Sequence, residues 1–300
     1  MESHWVDFIW SHISRIALSD SVLMTLFVIP LLYIAERLLS ARRVSSGHYR
    51  FGLMFFAVNA IVLGILAPTI NYWTARGVQA LGYGLIDLSA FGFSGLGGAL
   101  LALLVSTFVL DFFYYWFHRG LHANRFLWQT HLLHHSDENM NMLTAQRGHV
   151  FEGLLAPFFI TFPMAILFKL PAVEIAILSL LPQAYHFVSH ANIRLSYGPL
   201  WWLIISPDYH RIHHSIEPQH RDKNFTNWFP IWDILFGTLY RPERDERPVT
   251  GVEGVQISGL WHAYLLPIYG WRDMLKRRRM WKTQVIARTE PNSANQVRPH

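Results

Sequence analysis

The sequence predicts an all-α integral membrane protein with about four transmembrane helices, paired as two hairpins, under a cytoplasmic helical cap. Three observations predict it. Hydrophobic residues make up 52% of the 300 and charged residues only 15%. Apolar runs of roughly twenty residues, the length that spans a bilayer, recur along the chain. Ten of the 17 histidines fall into short clusters just beyond the ends of such runs.

The elements follow in chain order. Residues 1–20 carry Glu2 and Asp7, no basic n-region and no long apolar core, so they do not read as a cleavable leader. Trp5, Phe8, Ile9, Ile13 and Ile16 recur at helical spacing and predict an interfacial helix. Residues 21–240 form the membrane and catalytic domain. Its apolar stretches run from Ser21 to Leu39, Phe51 to Ile70, Gly97 to Phe117, Val150 to Leu170 and Ala172 to about Val188. The last two meet at Lys169-Leu170-Pro171, so they form a tight hairpin. The fifth carries Glu174 and Pro182 and is only partly inserted. Residues 241–282 form a charged linker and an interfacial C-terminal region ending in LKRRRMWK, a basic run that suits a membrane surface better than nucleic acid. Residues 283–300 are polar and predict a disordered tail.

Loop charge orients the spans. Arg42, Arg43 and Arg50 place the first loop in the cytoplasm, and the loop from Asn71 to Ser94 carries only Arg76. The third span then returns to the cytoplasm with His118 at its end, and every histidine cluster falls on that side.

The clusters are HRGLH (His118, His122), HLLHH (His131, His134, His135), HFVSH (His186, His190) and HRIHH (His210, His213, His214). Positions i, i+3 and i+4 share a helix face, so each cluster presents two or three imidazoles to one point. Imidazole is a common ligand of zinc, copper, iron and nickel. Ten ligands suit two ions and predict a dimetal site held by histidines alone, the alternation reflecting two helical hairpins that each supply a set. Nearby Asp111, two turns before His118, and Asp208 are expected to orient ligand imidazoles. Asp137, Glu138, Glu152 and Glu217 also lie near the clusters, with Glu138 and Glu217 read as surface or capping groups. His220 is assigned to the surface and His262 to the core. Phe113, Trp116, Phe117, Ala184, Tyr185 and Phe187 are expected to line a substrate path from the bilayer.

Ligand type alone leaves zinc and iron open. HExxH, the usual hydrolytic zinc pattern, is absent, and so are the paired E-x-x-H motifs of soluble di-iron bundles. Two ions held only by histidines at a membrane surface suit O2 activation and attack on an inert C–H bond, which needs a redox-active metal and favours iron, with zinc able to substitute in the same donors. The chain has no cysteine, so it carries no disulfide, iron–sulfur ligation or thiolate-bound haem. A haem- or zinc-binding membrane protein, an electron carrier or a metal transporter, is the alternative reading.

Together with HLLHHSDENMNMLTAQRGHVFEG (131–153) and NWFPIWDILFGTLY (227–240), these four boxes resemble the fatty acid hydroxylase/sterol desaturase superfamily of integral-membrane di-iron oxygenases, over about Asp111 to Tyr240. The resemblance implies that the ten boxed histidines hold two iron ions. It implies O2 as co-substrate and an acyl-chain, sterol or related lipid entering from the membrane. His149, in a family-like stretch, is expected behind the ligands or against substrate. Trp232-Asp233 and Phe236-Gly237-Thr238 match a segment read as structural. No HPGG haem motif is present, so electrons are expected from a separate protein of reductase, ferredoxin or cytochrome b5 type; no nucleic-acid partner is expected.

Overall fold

The computed structural model describes residues 24–40, 42–81, 84–87, 95–169, 183–244 and 246–289. Among these the chain is helical, and extended pairing is limited to three isolated bridges. A wide turn at Met24–Val28 leads into α1 (Ile29–Leu39). Then come α2 (Ser46–Leu81), α3 (Gly95–Ala123) and α4 (Arg125–His135). Next are a short 3₁₀ turn at Met142–Gln146, α5 (Val150–Ala156) and α6 (Phe162–Leu167). The last elements are α7 (residues 183–190), α8 (Pro207–His213), α9 (Ile231–Leu235) and α10 (Leu260–Thr289).

Three of these helices are long and apolar enough to cross a membrane: Ser46–Leu81, Leu100–Ala123 and Val150–Leu167. They correspond to the second, third and fourth expected stretches. The last is continuous through α5 and α6, widened by one turn at Pro157–Thr161, where Pro157 supplies no N–H for the regular ladder. Leu53, Met54, Ile61, Ile65 and Trp73 stand exposed along α2. In water that face would be an aggregation surface; in hydrocarbon it costs nothing, because the helix satisfies its own backbone. The first expected stretch is helical from Met24 onward. The fifth lies mostly outside the described residues, as does the whole N-terminal segment 1–20.

The three spans alternate in direction, so one end of the bundle collects the N-termini of α2 and α5 and the C-terminus of α3. There Gly52 of α2 meets the 142–146 turn so closely that a Cβ would lie 2.8 Å from Leu143 Cβ. At the other end Gly84, with φ +67°, turns the chain against Lys169, and Leu85 and Ile86 donate backbone hydrogen bonds to Ile166 and Leu167.

The cap covers the first of these ends and is tied down by capping side chains. Asn124 accepts the N–H groups of Phe126 and Leu127 to start α4, and Ser206 accepts that of Tyr209 to start α8. Glu36, buried at the end of α1, accepts the N–H groups of Met142 and Asn192, both at 2.7 Å. It fixes the α1 end to two cap segments at once. α10 packs on α4 through Phe126 and Trp271, stacked at 4.6 Å, and the Trp271 indole donates to Phe126 O.

Candidate metal centre

α4 and α8 carry the two H-x2-HH boxes, and each helix divides its three imidazoles. His118, His122, His131, His135 and His213 bring one nitrogen each to within 4.8 Å of one another. His134, His190, His210 and His214 form a second such group. On α4 the i, i+4 pair His131 and His135 serves the first group, and His134, rotated by about a third of a turn, serves the second. At α8, His210 and the C-cap residue His214 serve the second group and His213 the first. The boxes are therefore shared crosswise, not one set per hairpin. Nine of the ten boxed histidines enter the two groups. His186 lies at the edge of the second, its ring 4.4 Å from His190 and 6.0 Å from His134.

The outer nitrogens define the tautomers. His118 Nδ1 donates to Phe225 O, His190 Nδ1 to His186 O and His213 Nδ1 to Lys223 O, each at 2.7 Å. His131 Nδ1 donates to the Glu152 carboxylate at 2.9 Å. A ring that donates through Nδ1 presents a bare lone pair at Nε2. Yet His118 and His131 place their Nε2 atoms 3.0 Å apart, and His190 meets the Nε2 atoms of His134, His210 and His214 at 3.1, 3.0 and 3.2 Å. Between His118 and His131, both of which donate through Nδ1, lone pairs at that distance repel unless a cation lies between them. Protonation does not supply one. Burial, reinforced by the neighbouring imidazoles, drives His131, His134, His135, His190, His210, His213 and His214 well below the ordinary imidazole range.

A metal ion resolves both problems, and the donor set fits one. His213 Nε2 is buried without a hydrogen-bond partner. Metal–nitrogen bonds of about 2.1 Å separate neighbouring ligand atoms by about 3.0 Å at right angles and about 3.4 Å in a tetrahedron. The observed 3.0–3.2 Å spacings fall toward the right-angled arrangement. Five converging nitrogens in the first group also exceed the four of a closed structural zinc site.

The expected supporting groups divide. Glu152 holds His131 directly. Asp111 touches no imidazole: buried on α3, it accepts the N–H groups of Asn227, Trp228 and Phe229 at 2.9, 3.1 and 2.8 Å. Asn227 Oδ1 in turn accepts His186 Nδ1 at 2.9 Å, so Asp111 acts one step removed. His149 caps α5, accepting the Phe151 N–H on Nδ1 while Nε2 donates to Tyr264 O. It thereby fixes the helix that carries Glu152. Asp208 pairs with Arg247 at 2.8 Å and ties the 247 segment to the start of α8. Asp137 pairs with Arg147 at 2.9 Å. Burial alone would raise the Asp137 carboxyl, but Arg147, Thr144 and the Asn139 N–H together hold it below its usual range.

Two histidine assignments are corrected. His220 is fully buried, bonded to Ser215 Oγ at 2.8 Å and Glu246 Oε1 at 2.9 Å; both ring nitrogens are satisfied, which offsets its desolvation. His262 is half-exposed on α10 and bonds Ser258, not the core.

The six expected path residues do not share one wall. Phe113 packs with Ala102, Met164 and Phe168, Phe117 stacks on Phe159, and Trp116 is exposed beside Phe236. Ala184 and Phe187 pack in the cluster around Phe56 and Met142, and Tyr185 stacks on Trp228. The residue reaching the histidines from the membrane side is Tyr114, 5.4 Å from His118 and 6.3 Å from His186. Its i−4 spacing from His118 was the available signal. Asp233, read as structural, accepts the N–H groups of Phe225 and Thr226 and the hydroxyls of Thr226, Thr238 and Tyr209. This aims Phe225 O at His118. Asp222, 3.5 Å from His122 Nδ1, went unrecognised.

Fold and site define a helical protein whose three candidate membrane spans converge on paired histidine groups. Residues 103–238 match the family model described as fatty acid hydroxylase. The alkylglycerol monooxygenase of Xenopus tropicalis is 33% identical over 163 residues, covering 52% of this chain and 35% of the relative. The ornithine lipid hydroxylase OlsE of Rhizobium tropici is 27% identical over 164 residues, 52% of this chain and 47% of the relative. The very-long-chain aldehyde decarbonylase CER1 of Arabidopsis thaliana is 29% identical over 154 residues, 47% and 24% respectively. Over these residues the chain is similar to the fatty acid hydroxylase superfamily. It spans about a third of the length of the Xenopus alkylglycerol monooxygenase it matches. No solved structure matches it.

Proposed function

We propose that this protein is an O2-dependent lipid hydroxylase or desaturase with two iron ions held by the boxed histidines. The observation that carries the reading is the pair of converging nitrogen groups whose Nε2 lone pairs face one another at the end of three candidate spans. When bound, the two ions would activate O2 against an unactivated C–H bond. The first group of five histidines and the second group of four, with His186 beside it, would hold them. All the ligands are neutral, so Glu152 on His131 and Asp222 on His122 offset part of the metal charge from behind the rings. Phe225, Lys223 and His186 carbonyls keep each lone pair aimed inward. The Tyr114 ring lies beside His118 and His186 on the side of the spans, and water is excluded by buried cap residues such as Leu133, Ile212 and Phe225.

The substrate class follows from access. The three candidate spans end at the site, so a hydrocarbon chain can reach it from the bilayer and gain about 25 cal/mol per Å² of apolar surface buried there. The relatives named for an alkylglycerol, an ornithine lipid and a very-long-chain aldehyde share a long alkyl chain, which favours an alkyl-chain lipid over a sterol body. The histidine cap faces the cytoplasm in this reading, next to the Arg42/Arg43/Arg50 loop, and a separate electron donor supplies two electrons per O2. The test combines metal analysis of purified protein with O2 consumption and comparative lipidomics of cells with and without the chain. Iron near two per chain and one shifted lipid class are expected. Protein that retains zinc alone and leaves the lipid profile unaltered when overexpressed would overturn the reading.

A further inference from the structure

Three of the five rings in the first histidine group are anchored on one short strap. His122 Nδ1 faces the Asp222 carboxylate at 3.5 Å, His213 Nδ1 donates to Lys223 O at 2.7 Å, and His118 Nδ1 donates to Phe225 O at 2.7 Å. The strap runs from surface to core within four residues: the Asp222 side chain is 63% exposed, and Phe225 is buried. It is also rigid. Asp222 and Asn224 hold φ of +57° and +59°. Asn224 donates to the carbonyls of Tyr209 and Tyr240 and accepts the Tyr240 N–H, and Phe225 N–H is held by Asp233. Trp128, half-buried, adds a ring 4.9 Å from His122 and 5.2 Å from His135.

The second group is built differently. His190 is anchored on the buried His186 carbonyl, and the outer nitrogens of His210 and His214 are buried without a hydrogen-bond partner. The connection to the surface therefore belongs to one group. The strap's outer end is also basic. Arg221 and Arg119 are the cations acting on Asp222, Arg221 is exposed and Lys223 follows. The one carboxylate among them is turned toward His122.

We propose that residues 221–225 form the electron-delivery face of the protein, on which an acidic one-electron carrier protein docks, and that electrons reach the first histidine group before the second. The inference rests on the di-iron reading above. In each transfer the carrier is oxidised by one electron and the ion held by the first group is reduced by one; no bond in the strap forms or breaks. The strap contributes short contacts that shift little on transfer, and the basic rim contributes steering that salt weakens.

The test uses the metal-loaded, full-length protein in detergent or nanodiscs. The probe is a reduced acidic plant-type ferredoxin, with a small uncharged reductant, a reduced phenazine, as control. Binding is read by calorimetry and metal reduction by stopped-flow absorbance. The ferredoxin should bind less tightly as salt rises. Arg221→Glu should lower both its binding and its reduction rate at least tenfold, with metal content and the phenazine rate within twofold of the parent. Asp222→Asn should slow ferredoxin reduction while leaving ferredoxin binding intact. A ferredoxin rate untouched by Arg221→Glu, or one insensitive to salt, would overturn the docking face. If the phenazine reduces no metal at all, the di-iron reading fails instead, so the two failures are distinguishable.

Discussion

Replacing Asp111 should reveal how the cap is pinned to the membrane bundle. Its carboxylate, fully buried, accepts three backbone N–H groups from residues 116 to 118 positions away, at 2.8 to 3.1 Å. Truncation to alanine leaves three buried donors without an acceptor, and each such orphan costs about 1–3 kcal/mol. A water entering the vacated space can satisfy one or two of them, so the net loss should be about 3–5 kcal/mol. Asp111→Asn keeps one acceptor oxygen and turns an amide donor toward the Phe229 N–H, so it should lose about 1–3 kcal/mol. The assay is reversible unfolding in mixed micelles, followed by size-exclusion profile and tryptophan fluorescence, with metal content measured on the folded fraction. Parent, asparagine and alanine should rank in that order. Metal content should fall with stability, because the same contacts position Asn227 behind His186. An alanine variant within about 0.5 kcal/mol of the parent, the ordinary range for a surface substitution, would show that the segment at 227–229 is held by something else.

Other outcomes follow from the same geometry. Glu152→Ala, which removes the carboxylate behind His131, should weaken metal affinity about 10–100-fold in a chelator competition, with Glu152→Gln milder; equal affinity in all three proteins would dismiss the contact. His134→Ala and His213→Ala should each lower metal content and abolish activity without preventing membrane insertion, and full metal retention in either would remove that ring from the ligand set. Acid should release metal. Unfolded imidazoles titrate near pH 6.5, whereas burial holds these lower, so the unfolded chain binds more protons below that pH. Stability is complete above about pH 6.5 and is lost as pH falls through it, by up to about 1.4 kcal/mol per unit for each ring; metal fully retained after dialysis at pH 5 would contradict this. Reporter fusions at Arg43, Gly120 and the C-terminus should signal cytoplasm and one at Ala80 the opposite side, and a cytoplasmic signal at Ala80 would remove one of the two spans flanking it.

What could be read from the sequence is what depends on local spacing. Apolar run length located the three candidate spans, and the i, i+3, i+4 rhythm located nine histidines that converge. Spacing states which residues share a face but not what that face meets. Hence the crosswise sharing of the two H-x2-HH boxes was not legible, and neither was the partner of Asp111, which lies more than a hundred residues away. His220 was assigned to the surface because its neighbours Gln219, Arg221 and Asp222 are polar. Its burial is made possible by Ser215 and Glu246, and nothing in the local pattern announces a partner 26 residues on. The substrate-path aromatics show the opposite error. Phe113 and Phe117, at i and i+4, do share a face of α3, but that face packs on residues 159–168 and not on the histidines. Tyr114, one turn below His118, was the position that periodicity alone selects.

The supporting groups also explain why a centre of neutral ligands can persist in a protein so poor in charge. Glu152 arrives on a helix fixed by His149, Phe225 O is aimed by Asp233, and Asn227 is held by Asp111. Each anchor is thus a buried or part-buried polar group satisfied by another, in chains two or three residues long. Such chains cost little only when complete, because a half-satisfied network in low dielectric is worse than none. The arrangement therefore ties metal site and cap together. The same contacts that orient the imidazoles close the cap over the spans, and damage at Asp111 or Asp233, neither of which touches an imidazole, should be felt as loss of metal.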